Sequence, residues 1–227
     1  HPKLGFIPPN DFIPIAEESA LVNSLDAWVL QQACTQMHTW LTAQTKLELI
    51  AVNLSSRSLS SSSLAKNVAT TLAQTHLDAR FLELEVTESA VMEDPEHADA
   101  TLSELRDVGV RIAIDDFGTG FSSLARLKSL PVHKLKIDQC FIEHVTSDSD
   151  DAAIVKAIIA LGKSMGLQVQ AEGIEYDEQT AFLQQEHCEL GQGYLLGRPL
   201  TADNFTALAL QASTTRNTQT VLDLTGK

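Results

Sequence analysis

Val110-Arg111-Ile112-Ala113-Ile114-Asp115-Asp116-Phe117-Gly118-Thr119-Gly120-Phe121-Ser122-Ser123 is the stretch from which the rest of the chain is read. An apolar run closes on two adjacent aspartates and passes into a glycine-containing loop. Charged side chains are seldom buried unless they are paired or bind a metal. A carboxylate pair at the mouth of a strand suits one task well, holding divalent cations with hard oxygen ligands. Two such cations can clamp the attacking and leaving oxygens of a phosphoryl displacement. The glycines let the chain turn where side chains would obstruct a ligand. Alone, the Asp-Asp pair reads as a strand end with two solvated carboxylates. That reading gives way because other strands of the chain also end in metal-ligand residues.

Outward from this stretch, strand-like and helix-like segments alternate. Residues 21–41 carry apolar positions at helical spacing, entered through Pro14 and Glu17-Glu18. Strands are predicted at 47–54, 81–86, 111–114, 134–137, 167–171 and 193–196. Between them helices are predicted at about 55–74, 96–108, 122–130, 150–165 and 177–186, with a last one at 202–211. Short connections between alternating elements imply a parallel sheet covered by helices. The alternation reads as nearly a closed (β/α)8 barrel of the TIM type. A doubly wound open sheet is the alternative, but no GxGxxG follows the first strand. One domain is expected over 1–211, with a Thr/Ser-rich tail or linker over 212–227.

The bulk numbers set limits. The chain has 227 residues, enough to bury a full core, and its 44% apolar content is ordinary for a globular protein. A formal net charge of −14 argues against binding long nucleic acid or an anionic membrane through bulk electrostatics. A small anionic ligand stays open, because bound cations invert the local field. Three scattered cysteines form no zinc pattern, and a reduced, cytoplasmic setting is expected. The opening His1-Pro2 leads us to expect a fragment of something longer.

The residues closing successive strands are Asn53, Glu85, Asp115 with Asp116, Lys136, Glu172 and Gln192. In a barrel these ends converge on the face where active sites sit. The acidic and amide oxygens suit Mg²⁺ or Mn²⁺. A lysine among them can orient or stabilise an attacking hydroxide and offset carboxylate charge. The implied chemistry is metal-assisted hydrolysis of a phosphate ester. Singly, each member has an ordinary reading. Asn53 is a turn or cap residue, Glu85 or Glu88 the partner of a lysine, and Lys136 a snorkelling side chain. Glu172-Gly173 and Gly191-Gln192-Gly193 are weak turn signals. Their shared place on successive strands is what carries the functional reading.

With these residues in view, the chain resembles the EAL domain family of bacterial cyclic di-GMP phosphodiesterases over about residues 1–211. The resemblance rests on Phe12-Ile13-Pro14-Ile15-Ala16-Glu17, Val52-Asn53-Leu54-Ser55, Glu85-Val86-Thr87-Glu88-Ser89 and the Asp115-to-Leu124 stretch. It continues through Lys136-Ile137-Asp138, Ala171-Glu172-Gly173-Ile174-Glu175, Gln192-Gly193-Tyr194-Leu195 and Pro199-Leu200. It implies a TIM-type barrel of EAL type with an irregular first strand. It also implies cleavage of cyclic di-GMP to linear pGpG with two Mg²⁺ or Mn²⁺ per site. By matching motifs, Asn53, Glu85 and Asp115 would hold one metal. Asp115 would bridge to a second, which also meets Asp116 and Glu172. Lys136 would hold the attacking water, with Glu175 and Gln192 near it. Glu88 would fix the loop of Phe117, Gly118, Thr119, Gly120, Phe121, Ser122 and Ser123, which the family links to dimer contacts. Asp138, Gly193 and Pro199 would lie at the substrate.

The Glu-Ala-Leu signature that names the family would lie a few positions upstream of His1, with one further metal-binding glutamate. The barrel's first strand is therefore expected outside this chain. Tyr176 and Cys140 stand where the family more often has a small hydroxyl residue and serine, with little expected effect. The resemblance also implies a homodimer, fusion to upstream sensory or GGDEF domains, and a cytoplasmic domain in either a soluble or a membrane-anchored protein. A catalytically inactive EAL domain, acting as a cyclic di-GMP receptor or a protein-interaction module, is the alternative. An unrelated divalent-metal hydrolase is a third.

Overall fold

The computed structural model describes residues 2–5, 7–19, 21–120 and 124–214. Two helices come first, α1 (Pro9–Glu18) and α2 (Leu21–Thr42), and then the β/α alternation begins. It runs β1 (Ile50–Asn53), α3 (Ser56–Leu59), α4 (Leu64–Thr75), β2 (Leu82–Thr87), α5 (Glu88–Glu93) and α6 (Pro95–Val108). It continues β3 (Arg111–Phe117), α7 (Leu124–Leu127), β4 (Lys134–Ile137), α8 (Gln139–Glu143) and α9 (Ser149–Met165). The chain closes with β5 (Gln168–Ala171), α10 (Asp177–Gln185), β6 (Leu190–Gly191) and α11 (Ala202–Thr214). All pairings are parallel, and the strands lie in sequence order, β1-β2-β3-β4-β5-β6. This is a partial (β/α)8 barrel.

The described residues form six strands, as many as the strand segments read from the pattern. Most of the described chain ahead of β1 is taken up by α1 and α2. The segment 9–18 is its own helix rather than a lead-in. Pro9 occupies its first turn, and Ser19 stops it by returning both its N–H and its hydroxyl to the Ala16 carbonyl. The last strand also differs. Composition places it at 193–196, whereas it lies at Leu190–Gly191. The N–H groups of Leu196 and Gly197 both bond back to the Gly193 carbonyl, so the apolar Tyr194-Leu195-Leu196 run folds into a turn. The final helix reaches Thr214, three residues past the boundary drawn at 211.

The helices start and stop where side chains satisfy their end groups. Thr87, Asp94 and Asp148 accept hydrogen bonds from the first-turn N–H groups of α5, α6 and α9. Gly109 and Gly166 end α6 and α9 in the left-handed region. Each strand alternates. Leu82, Leu84, Val86, Ile112, Ile114, Leu135, Ile137, Val169 and Ala171 are buried, and α2, α6 and α9 pack against the sheet. Burying each large aliphatic side chain contributes about 1.5–3 kcal/mol. Most of their strand neighbours one position along are charged or polar, among them Glu83, Glu85, Arg111, Asp115, Lys134, Lys136 and Gln170, and Ala113 is the apolar exception.

Candidate active site

The interior positions stack in two layers, because side chains two apart on a strand share a face. The upper layer is built round Lys136, at the C-terminal end of β4. Its buried ammonium lies 2.8 Å from Glu85 Oε2, 3.1 Å from Asp115 Oδ1 and 2.8 Å from Glu172 Oε1. These carboxylates come from β2, from β3 and from the residue just after β5. Three negative charges against one positive leave an acidic surplus in a buried place. Burial opposes the charge on Lys136, but Glu85, Glu172 and Asp115 outweigh it and hold its pKa above the ordinary lysine value. Glu85 and Glu172 are pushed up, chiefly by burial and against the pull of Lys136.

A bulge sets the aim of the aspartates. The β3–β4 register shifts between Ile114 and Phe117, and Asp116 takes a φ of 54°. Bulges re-aim side chains beside functional sites. Here the extra residue lets Asp115 face Lys136, while its Oδ1 also accepts the Asp116 N–H at 3.0 Å. Asp116 is driven up to about 6 by burial, by the Asp115 charge and by a hydrogen bond shared with Asp138. Burial opposes it, but hydrogen bonds from Cys140 and Asp116 hold Asp138 below the usual carboxylate range. Asp138 also caps α8, accepting the Cys140 N–H at 2.7 Å.

The loop after β3 is tied down by Glu88. Its Oε2 accepts the Gly118 N–H at 2.9 Å and the Gly120 N–H at 3.4 Å. Gly118 has a φ of 104°, a conformation that disfavours any side chain. Thr119 closes back on the Asp116 carbonyl at 2.8 Å, and Phe117 is buried. Phe121, Ser122 and Ser123 of the expected loop lie outside the described residues.

Of the other expected site residues, Asn53 ends β1 in register with Glu85, and its side chain is exposed. The turn beyond it is anchored by Asp26 of α2. One carboxylate oxygen of Asp26 accepts the Ser55 N–H at 3.1 Å and the Ser55 and Ser58 hydroxyls at 2.6 Å each. Glu175 is exposed, and its N–H is held at 2.8 Å by the buried Gln179, which also donates to the Ile142 carbonyl. Gln192 follows β6, and its N–H bonds to the Ala171 carbonyl at 2.8 Å. Gly193 presses on the backbone of Ile174, where a Cβ would collide with Ile174 N and O. Pro199 is exposed in the segment leading to α11. The structure thus brings Glu85, Asp115, Lys136 and Glu172 into direct contact. It sets Asn53, Asp116, Asp138 and Gln192 on the same strand-end face.

The second layer has no counterpart in the strand-end reading. Glu83, fully buried, lies between Lys134 Nζ at 2.5 Å and Arg111 Nε at 3.4 Å. Arg111 also donates to Gln168, and Lys134 to Gln170 at 3.3 Å. Gln170 in turn donates to Gln192 Oε1 at 3.1 Å. The signal for this layer is the alternation Glu83/Glu85, Lys134/Lys136 and Gln168/Gln170, polar at every second position of buried strands. Strand-closing residues alone pass over it.

No three His, Cys, Asp or Glu side chains are gathered into a ready metal cage among the described residues. The donor set nevertheless suits a divalent cation. It offers hard oxygens and carries more negative charge than one ammonium balances.

The model of the family described as EAL domain matches residues 1–199. The chain belongs to the EAL domain family. This EAL domain is 45% identical over 207 residues to the bifunctional diguanylate cyclase/cyclic di-GMP phosphodiesterase MucR of Pseudomonas aeruginosa, covering 91% of this chain and 30% of MucR. It is 44% identical over 200 residues to the cyclic di-GMP phosphodiesterase NbdA of the same organism, covering 88% of this chain and 26% of NbdA. The chain therefore spans about a quarter to a third of these relatives. Among solved structures, the PaMucR phosphodiesterase in complex with c-di-GMP superposes with a TM-score of 0.88 at 45% identity, covering 90% of this chain and 83% of that one. The EAL domain of Mycobacterium smegmatis DcpA superposes with a TM-score of 0.80 at 38% identity, covering 84% and 86%. No described helix of this EAL domain is long and apolar enough to cross a membrane.

Proposed function

We propose that this EAL domain is a cyclic di-GMP phosphodiesterase that opens one phosphodiester bond to give linear pGpG. The observation that carries this is the convergence of Glu85, Asp115 and Glu172 on Lys136, at the strand ends of a fold whose relatives include named cyclic di-GMP phosphodiesterases. In this reading Asn53, Glu85 and Asp115 would hold one Mg²⁺ or Mn²⁺, and Asp115, Asp116 and Glu172 would hold a second. Bound in this way, the ions supply Lewis acidity to the phosphate and to the attacking water.

The chain's own groups have separate tasks. Lys136, held protonated by its three carboxylates, is a donor and a fixed positive charge rather than a base. It orients the water oxygen and steadies charge developing on the phosphate. Glu88 holds the Gly118 and Gly120 N–H groups of the loop that follows the aspartates. Asp138, Gln192, Gly193 and Pro199 line the substrate's approach, with Glu175 beside the water. The proposal extends to a homodimer, joined through that loop, in a longer bacterial signalling protein with sensory or GGDEF domains upstream.

The test is chromatographic. The chain is incubated with cyclic di-GMP and Mg²⁺ or Mn²⁺, and pGpG is sought with and without chelator. Metal-dependent pGpG is the expected result. Tight binding of cyclic di-GMP with no product would move the domain to the receptor class, and product formed equally in chelator would overturn the metal assignment.

A further inference from the structure

The layer beneath the site contains a chain of hydrogen bonds whose direction is fixed at one end. Lys134 carries an ammonium, which can only donate. It is buried, and it donates to Glu83 Oε1 at 2.5 Å and to Gln170 Oε1 at 3.3 Å. Arg111, another obligate donor, holds the other oxygen of Glu83. The oxygen of the Gln170 amide is therefore turned towards Lys134, since the reverse rotamer would set its NH₂ against the ammonium. Its Nε2 then points the other way and donates to Gln192 Oε1 at 3.1 Å. This bond turns the Gln192 oxygen towards Gln170, and its Nε2 is the group that faces away from it. Gln192 itself is held at the strand-end face, its N–H on the Ala171 carbonyl and its carbonyl on the Ile174 N–H.

We infer that Lys134, acting through Gln170, fixes the polarity of Gln192, so that the amide offered at the strand-end face is a hydrogen-bond donor matched to an anionic phosphodiester oxygen. The ligand's identity rests on the phosphodiesterase reading above, whereas the polarity relay stands on the geometry alone. Without the relay, an exposed carboxamide turns either face outward, and its carbonyl would repel phosphate oxygens. Lys134 and Gln170 are positioning residues. Neither needs to touch the substrate.

Two readouts test this. The first is hydrogen exchange of side-chain amides by NMR, with the Gln170 and Gln192 signals assigned through Gln170→Glu and Gln192→Leu. In the unmodified chain the Gln170 NH₂ protons exchange slowly and those of Gln192 fast. In Gln170→Glu the new carboxylate keeps a partner for Lys134 but cannot donate. Gln192 must then turn its NH₂ inward, and its protons become slow. Slow Gln192 protons in the unmodified chain overturn the relay, and this arm needs no ligand.

The second readout is calorimetric binding of cyclic di-GMP to the chelator-treated chain. Gln170→Glu weakens binding about tenfold, the scale of one hydrogen bond to an anion. In a Gln192→Leu background the same change has no such effect. An equal loss in both backgrounds reflects only the added negative charge and overturns the relay. An unmodified chain that fails to bind cyclic di-GMP counts against the phosphodiesterase reading, while the exchange measurement still decides the relay.

Discussion

At Lys136 three carboxylates surround one ammonium, so every charge there is set by its neighbours. Asp115 is the member whose loss should be felt most, because in the proposed assignment it alone would serve both cations. Asp115→Asn keeps the shape and removes the charge. Turnover of cyclic di-GMP should fall by at least about 100-fold, the scale of losing one electrostatic partner at a reacting centre. Near-native kcat in that variant would refute its bridging role. Asp116 gives a second test, through stability. Its pKa rises from an ordinary 3.8 to about 6 in the folded, metal-free chain. The folded state therefore holds the proton more tightly than the unfolded one, and this group costs stability as pH rises from about 4 to about 6. Asp116→Asn should raise the melting temperature in chelator at pH 7 and leave it nearly unchanged near pH 4. An equal difference at both pH values would show that the cause is not titration. Sequence alone makes these residues legible because they close strands. Glu83, Lys134 and Gln170 escape because a residue in mid-strand gives no end signal, and only the pairing of strands shows which buried polar groups meet.

At the scale of elements, the site depends on the turns and helices joined to the strand ends. Glu88 begins α5, and its carboxylate reaches back to two N–H groups of the loop after β3. A carboxylate accepting backbone N–H groups makes a strong, charge-assisted bond. Glu88→Ala should leave both amides to water and loosen the loop. We expect kcat to fall about tenfold or more while calorimetric affinity for cyclic di-GMP stays within about threefold. Affinity falling in step with kcat would mean that the loop binds substrate rather than ordering the aspartates. The strands, and the long helices α2, α6, α9 and α10, are legible from periodicity and caps. The short helices α5 and α8 are not, because five or six residues hold too little of a 3.6-residue period. The last strand is misplaced for another reason. Tyr194-Leu195-Leu196 is apolar enough for a strand, but its backbone is claimed by Gly193 and Ile174. Such a competition between tertiary hydrogen bonds leaves no trace in local composition.

For the whole molecule, parallel βα units in sequence order are written in the alternation. The curled sheet and the polar interior arise from strands whose two faces carry different chemistry. The net charge of −14 and the acidic site are separate features, and they respond to different ions. Self-repulsion among exposed carboxylates is screened by any salt, with a Debye length of about 10 Å at 0.1 M. The surplus charge round Lys136 is buried and is screened much less. Sodium chloride should therefore raise the melting temperature slightly and then saturate. Mn²⁺ or Mg²⁺ at matched ionic strength should add a further increment through site binding. At 100 times its dissociation constant a ligand specific to the folded state contributes about 2.7 kcal/mol. For a chain of this size that is roughly 5–10 °C. The increment should vanish in Asp115→Asn and survive in Gln192→Leu, which removes no carboxylate. Divalent ions giving no more than matched sodium chloride would leave only general screening, and the acidic cluster would then be a structural ion-pair network centred on Lys136.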